Sequence, residues 1–117
     1  MECELFPAEK IKNLLNNYLK ENIKISSHYE EHLNKGKRDL SQEQIREYLI
    51  EKEPHFVEKQ IIEDEIRYKI VYKLSSKYDL VIVVTEVPQA LKVITAYKTS
   101  KKVKETWNKK SKLAMRK

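Results

Sequence analysis

Glycine is almost missing from this sequence. Its 117 residues hold one, Gly36. That excludes the glycine-rich phosphate cradles of the P-loop and Rossmann types and the nucleophile elbow of the hydrolases, each of which needs several glycines at fixed spacing. Cysteine is equally scarce. Cys3 stands alone, so no intrachain disulfide and no CxxC metal pattern can form. A reducing cytoplasm is the expected compartment. Long hydrophobic runs are also lacking. The longest, Leu80 to Val84, falls far short of the roughly 20 residues that cross a bilayer as a helix. The segment after Met1 is acidic and polar rather than basic and then apolar, so no signal peptide is expected. No membrane partner is expected either.

What is present is charge and an ordinary apolar content. Hydrophobic residues make up 40% and charged residues 36%, enough apolar material for a packed core in a single domain of this length. The net charge of +6 is unevenly spread. Residues 101–117 carry eight basic residues and one acid, Glu105, which leaves residues 1–100 with a single negative charge. Two segments therefore follow: an α+β domain over residues 1–100 and a basic helical tail over residues 101–117. A concentrated cationic field attracts polyanions, nucleic acid first; a solubilising tail is the other reading of the same charge.

Apolar periodicity gives the elements. Ile11, Leu14, Leu15, Tyr18 and Leu19 form a helical stripe behind Pro7, which predicts a first helix over about residues 7–21. Ile23 to Ile25 reads as a link or a brief strand. Ser27 and Glu30 form a capping box for a short second helix ending near Gly36, and Ser41 with Gln44 forms another for a third helix over about 41–52. Pro54 ends it. Beyond Pro54 the period becomes two. Strands are predicted at Phe56 to Ile62, Ile66 to Leu74, Tyr78 to Val87 and Leu91 to Tyr97. The run at 80–84 suits a central strand covered on both faces. Short links between the four strands imply an antiparallel meander. The expected fold class is thus α+β: three N-terminal helices packed on a four-stranded antiparallel meander sheet, with the basic C-terminal helical tail appended.

Four short stretches suggest a relationship: Ser27-His28 opening a helix, Arg38-Asp39-Leu40-Ser41 opening the next, Arg67-Tyr68-Lys69 on a strand, and Val93 to Tyr97 on the last strand. Together, over Ser26 to about Ser100, they resemble small domains related to the RelE-like mRNA interferase toxins. The resemblance implies RNA as the target, in the form of ribosome-bound mRNA, and an acidic antitoxin-like chain as a partner. It implies no cofactor.

RNA cleavage without a metal needs a base for the 2′-hydroxyl, an acid for the leaving oxygen and cations on the phosphorane. His28 suits proton transfer, Arg67 suits a phosphate fork, and Tyr97 can stack on a base. These three are the candidate catalytic residues. Each also has a plain reading: His28 as an exposed or cap-satisfied histidine, Arg67 as one member of a solvent-facing strand surface paired with Glu58 or Glu63, Tyr97 as core or rim. Arg38, Lys69, Lys98, Lys101, Lys102, Lys104 and Trp107 are the candidate nucleic-acid contacts, with Trp107 read either as an anchor for the tail or as a stacking platform. His32 lies one helical turn from His28, but no third ligand or HExxH pattern accompanies the pair, so no metal is assigned. Function therefore divides into an RNA-directed protein in the form of a metal-independent toxin-like endoribonuclease, a non-catalytic nucleic-acid-binding module, and a partner-binding protein.

Overall fold

The computed structural model describes residues 2–25 and 40–100. The described residues form a six-stranded mixed sheet with two α-helices on one face. In chain order the elements are β1 (Glu2–Leu5), α1 (Ala8–Leu15), a 3-10 turn (Lys20–Asn22), β2 (Ile23–Ile25), α2 (Gln42–Glu51), β3 (Phe56–Ile62), β4 (Glu65–Lys73), β5 (Asp79–Val87) and β6 (Ala90–Thr99).

The expected fold class is corrected on two counts. The sheet order is β1-β3-β4-β5-β6-β2. The four-stranded antiparallel meander is its centre, but β1 adds antiparallel to β3 and β2 adds parallel to β6. The sheet is therefore mixed, with six strands. Two α-helices are described rather than three; the helix expected from Ser27 to Asn34 lies outside the described residues. The reason the outer strands escaped the pattern is plain. Glu2-Cys3-Glu4-Leu5 alternates over four residues only, with two apolar positions, too short a run to mark a strand by itself, and an edge strand needs no more, since charged residues are tolerated there. What makes it a strand is the open edge of β3, a tertiary partner.

The first helix is also shorter than its stripe. It stops at Leu15. Asn16 and Asn17 follow, residues whose side chains compete for backbone groups, and the next amides turn back three residues: Asn17 N–H donates to the Leu14 carbonyl at 3.2 Å and Tyr18 N–H to that of Leu15 at 3.1 Å. Leu19 is consequently 65% exposed. Pro7 sits one position earlier than expected, at the N-cap with extended ψ. By contrast the Ser41 capping box forms as read: the Gln44 amide donates to Ser41 Oγ at 3.2 Å and the Ser41 amide to Gln44 Oε1 at 2.9 Å.

The core lies between the helices and the sheet. Ile11 and Leu15 of α1 and Ile45 and Leu49 of α2 meet Val57, Ile70, Tyr72, Leu80, Ile82 and Ala96 from four central strands. β1, α1 and β2 together take the chain from one edge of the sheet to the other. A smaller cluster of Phe56, Val71 and Val81, joined by Val83 and Tyr97, occupies the opposite face.

Candidate nucleic-acid interface

Strand alternation sorts the charged residues by face. In β4, Tyr68, Ile70 and Tyr72 join the helix-side core, so Arg67, Lys69, Val71 and Lys73 stand on the outer face. Register extends this face across the sheet. Cys3 pairs with Gln60, Gln60 with Arg67, Arg67 with Thr85, Thr85 with Lys92, and Lys92 with Lys24. These six residues make one transverse row reaching every strand, with cations at three places. The next row is Leu5, Glu58, Lys69, Val83 and Thr95, and beyond it come Phe56, Val71, Val81 and Tyr97. A last short row holds Lys73, Asp79 and Thr99.

An irregularity between Val83 and Val84 makes this row possible. Val83 pairs with Thr95 but Val84 pairs with Val93, leaving Ile94 as an extra residue in β6. A bulge of this kind re-phases a strand. Val93 and Leu91 stay in the helix-side core while Lys92 reaches the outer face.

Among the described residues no helix lies on this outer face, and Lys24, Lys69, Lys73 and Lys92 form no salt bridge with a described carboxylate, although Glu58 stands opposite Lys69 and Asp79 opposite Lys73 in the register. Arg67 is the exception. Its Nε and Nη2 donate to Glu65 Oε2 at 3.1 and 2.9 Å. The expected partners Glu58 and Glu63 are replaced by a residue two positions away on the same strand and face.

The candidate residues distribute as follows. Arg67, Lys69 and Tyr97 share the outer face. Arg67 and Tyr97 stand four residues and two strands apart, roughly 16 Å between Cα atoms at ordinary strand spacing. Tyr97 packs against the outer apolar cluster, whereas the Arg67 guanidinium is turned to Glu65. Lys98 falls on the other face: its partner Leu80 is in the helix-side core, and its Nζ lies 5.2 Å from the centroid of the Tyr78 ring. His28, Arg38, Lys101, Lys102, Lys104 and Trp107 lie outside the described residues, so the placing of His28 against Arg67 and Tyr97 does as well.

Sequence reading missed Lys24 and Lys92. Each sits between two apolar residues, Ile23-Lys24-Ile25 and Leu91-Lys92-Val93, a local sign of a lysine facing solvent from a strand. Their union with Arg67 in one row requires the register.

Two clefts lined by described residues flank the sheet. One, of about 440 Å³, lies beside the turn ends of β4 and β5 and is lined by Asp64, Glu65 and Glu86 together with Tyr68 and Thr85. Its acids repel phosphate. Tyr18 donates its hydroxyl to Glu86 nearby. Burial first, then the hydrogen bond and charge of Glu86, push the Tyr18 phenol up to about 12. The other cleft, of about 320 Å³, is mostly apolar and is lined by Leu5, Phe6, Pro7, His55 and Phe56. Among the described residues no group of three histidine, cysteine or acidic side chains gathers as metal ligands, and no helix is long and apolar enough to cross a membrane.

The family model that matches this chain is that of the MJ0788 family, over residues 9–84. The chain belongs to the MJ0788 family. In this member the matched segment takes in both helices, β2 to β4 and most of β5, hence Arg67, Lys69 and Lys24, while Lys92 and Tyr97 lie past it. The match supplies no link to the RelE-like toxins. No curated protein and no solved structure matches the chain.

Proposed function

We propose that this MJ0788-family protein is a non-catalytic RNA-binding module. Single-stranded RNA lies across the outer face of the sheet, and the basic segment 101–117 adds to the attraction. The observation that carries this reading is the transverse row containing Arg67, Lys92 and Lys24, backed by Lys69, on the face that the described helices leave uncovered. Polyanion binding of this kind depends on cations tracking a backbone rather than on a closed pocket. The resemblance to RelE-like domains favours RNA over DNA. Binding is preferred to cleavage because the Arg67 fork is committed to Glu65 and stands far from Tyr97, which leaves a scissile phosphate without a cluster of proton-transfer groups among the described residues.

The test is fluorescence anisotropy with a labelled single-stranded RNA over a series of salt concentrations, with the RNA then run on a denaturing gel. Affinity should fall steeply with salt, by about 0.7 in log–log slope for each phosphate contacted. The Lys24→Glu/Lys92→Glu variant should bind about tenfold more weakly, with a shallower slope. RNA should remain intact. Salt-independent binding, or full affinity in the charge-reversed variant, overturns the interface; cut RNA overturns the non-catalytic reading.

A further inference from the structure

The β4–β5 ladder stops short of the hairpin tips. Its last pair is Arg67 with Thr85, although β4 stays paired to β3 through Glu65 and β5 to β6 through Val87. The Thr85 hydroxyl donates to the Ile66 carbonyl at 2.7 Å and closes the ladder there. Beyond that bond two hairpins stand side by side without pairing, and the gap between them is the cleft of about 440 Å³. Acids stand on both of its banks, Asp64 and Glu65 on one hairpin and Glu86 on the other, and no lysine or arginine lines it. Acids alone do not make a site. The second observation is Tyr68. It lines the cleft and is 7% exposed, its ring held against Phe6 with centroids 5.1 Å apart. Its hydroxyl makes no hydrogen bond among the described residues; the hydroxyl that donates to Glu86 is that of Tyr18. Burial, followed by the charge of Glu86, raises the Tyr68 phenol, so this oxygen lies in the field of that carboxylate. A tyrosine buried to this degree ordinarily has a partner for its oxygen. Here the cleft is where that partner enters.

We infer that this cleft binds an alkyl chain carrying more than one ammonium group, a polyamine. Every polar side chain on its walls can accept a hydrogen bond. The three carboxylates accept only, Thr85 has given its proton to Ile66 and keeps its lone pairs, and the Tyr68 phenol accepts as well as donates. The ligand that complements such walls brings donors and positive charge. An ammonium group carries three donors and no acceptor, and Glu86 with Tyr68 takes two of them. One ammonium leaves the opposite bank unmatched, so a second is needed at Asp64 and Glu65. Between the banks Ile66, Val87 and Pro88 offer apolar surface to the methylenes that join the two charges. The volume lies within the range of small-molecule sites, roughly 300–1,000 Å³. A metal ion is the poorer match, because among the described residues no three acidic, histidine or cysteine side chains gather closely enough to ligate one. The whole chain carries a net charge of +6, which opposes the general uptake of cations, so binding here reflects the local walls. The site is separate from the cationic row and does not depend on RNA binding.

Isothermal titration calorimetry of the full chain, free of nucleic acid and at constant ionic strength, tests this with spermidine as titrant and magnesium chloride as the comparison. Spermidine should bind at one site and magnesium far more weakly. Glu86→Gln should weaken spermidine about tenfold, the loss of one charge-assisted hydrogen bond. Tyr68→Phe should weaken it several-fold; it keeps the ring and removes a hydroxyl that bonds nothing described in the fold. Glu51→Gln, at an exposed acid of α2 outside the cleft, should bind like the parent chain. Absence of spermidine binding overturns the proposal, and so does magnesium binding of equal strength. An equal loss in Glu51→Gln overturns it too, since the uptake would then follow overall charge. Unchanged affinity in a Tyr68→Phe variant whose circular dichroism matches the parent also overturns it. No RNA enters the measurement, so its outcome and that of the RNA titration are read independently.

Discussion

The Nε of Arg46 donates a 3.1 Å hydrogen bond to the main-chain carbonyl of Ile23. This bond joins the middle of α2 to the edge strand β2, whose outward edge has no strand beside it among the described residues. Arg46 also lies 3.7 Å from Glu43 one turn back, and Glu43 in turn holds Lys20 of the 3-10 turn at 2.9 Å. An edge strand of three residues has little ladder of its own. Its place depends on Ile23, which is 1% exposed, and on this arginine.

Replacing Arg46 with methionine keeps the aliphatic stem and removes the donor. The loss should be about 1 kcal/mol, the worth of a partly exposed charged hydrogen bond, read by urea denaturation. Hydrogen exchange should quicken at β2 and stay unchanged in β4 and β5. Uniform quickening across the sheet would show that the bond does not act locally.

Tyr72 supplies the opposite case. Its ring meets Tyr48 edge-on, with centroids 5.4 Å apart, and it is 1% exposed. Its hydroxyl is buried without a hydrogen-bond partner among the described residues. A buried donor left unmade costs about 1–3 kcal/mol. Tyr72→Phe should therefore leave stability unchanged or raise it by about 1 kcal/mol, whereas Tyr72→Ala should lower it by about 3–4 kcal/mol through the cavity. A clear loss in the phenylalanine variant would reveal a partner for the hydroxyl.

Alkaline pH should destabilise the fold through its tyrosines. Burial, followed by the charge of Glu86, raises Tyr68; burial, followed by Glu53, raises Tyr72; Tyr18 rises to about 12. In each the folded state holds its proton more tightly than the unfolded chain. Their contribution is thus complete below about pH 10, the unfolded value, and is lost as pH climbs through the folded values. Denaturation midpoints at pH 8, 10 and 11 should fall only above pH 10, and the Tyr18→Phe/Tyr68→Phe variant should show a shallower fall. Equal slopes in the two proteins would remove the tyrosines as the cause.

Both two-residue hairpins contain a residue in the left-handed region, Glu63 at φ 56° and Gln89 at φ 63°. Pro88-Gln89 has the order of a type II turn, which favours glycine at its second central position. A side chain there costs about 1–2 kcal/mol, and glycine returns part of that gain through unfolded-chain entropy. Gln89→Gly should stabilise by about 0.5 kcal/mol in thermal melts. A lowered melting temperature would mean that the glutamine side chain makes a contact worth more than the strain.

The sequence carried the central architecture because local rules act there. Alternation at Tyr68, Ile70 and Tyr72 needs only a pleat and one buried face, and the Ser41 capping box needs only three consecutive peptide units. Lys69 and Arg67 could be read onto one face of β4 for the same reason. β1 was illegible, since a polar edge strand is defined by its neighbour rather than by itself. The candidate interface was legible in part only. Arg67, Lys92 and Lys24 lie 25 and 68 residues apart in the chain, and one row emerges from them only through strand pairing and the extra residue Ile94, which re-phases β6. A pattern of period two fixes which side of its own strand a residue takes. Which strands stand together, and in what register, is decided by the burial of the whole sheet against α1 and α2.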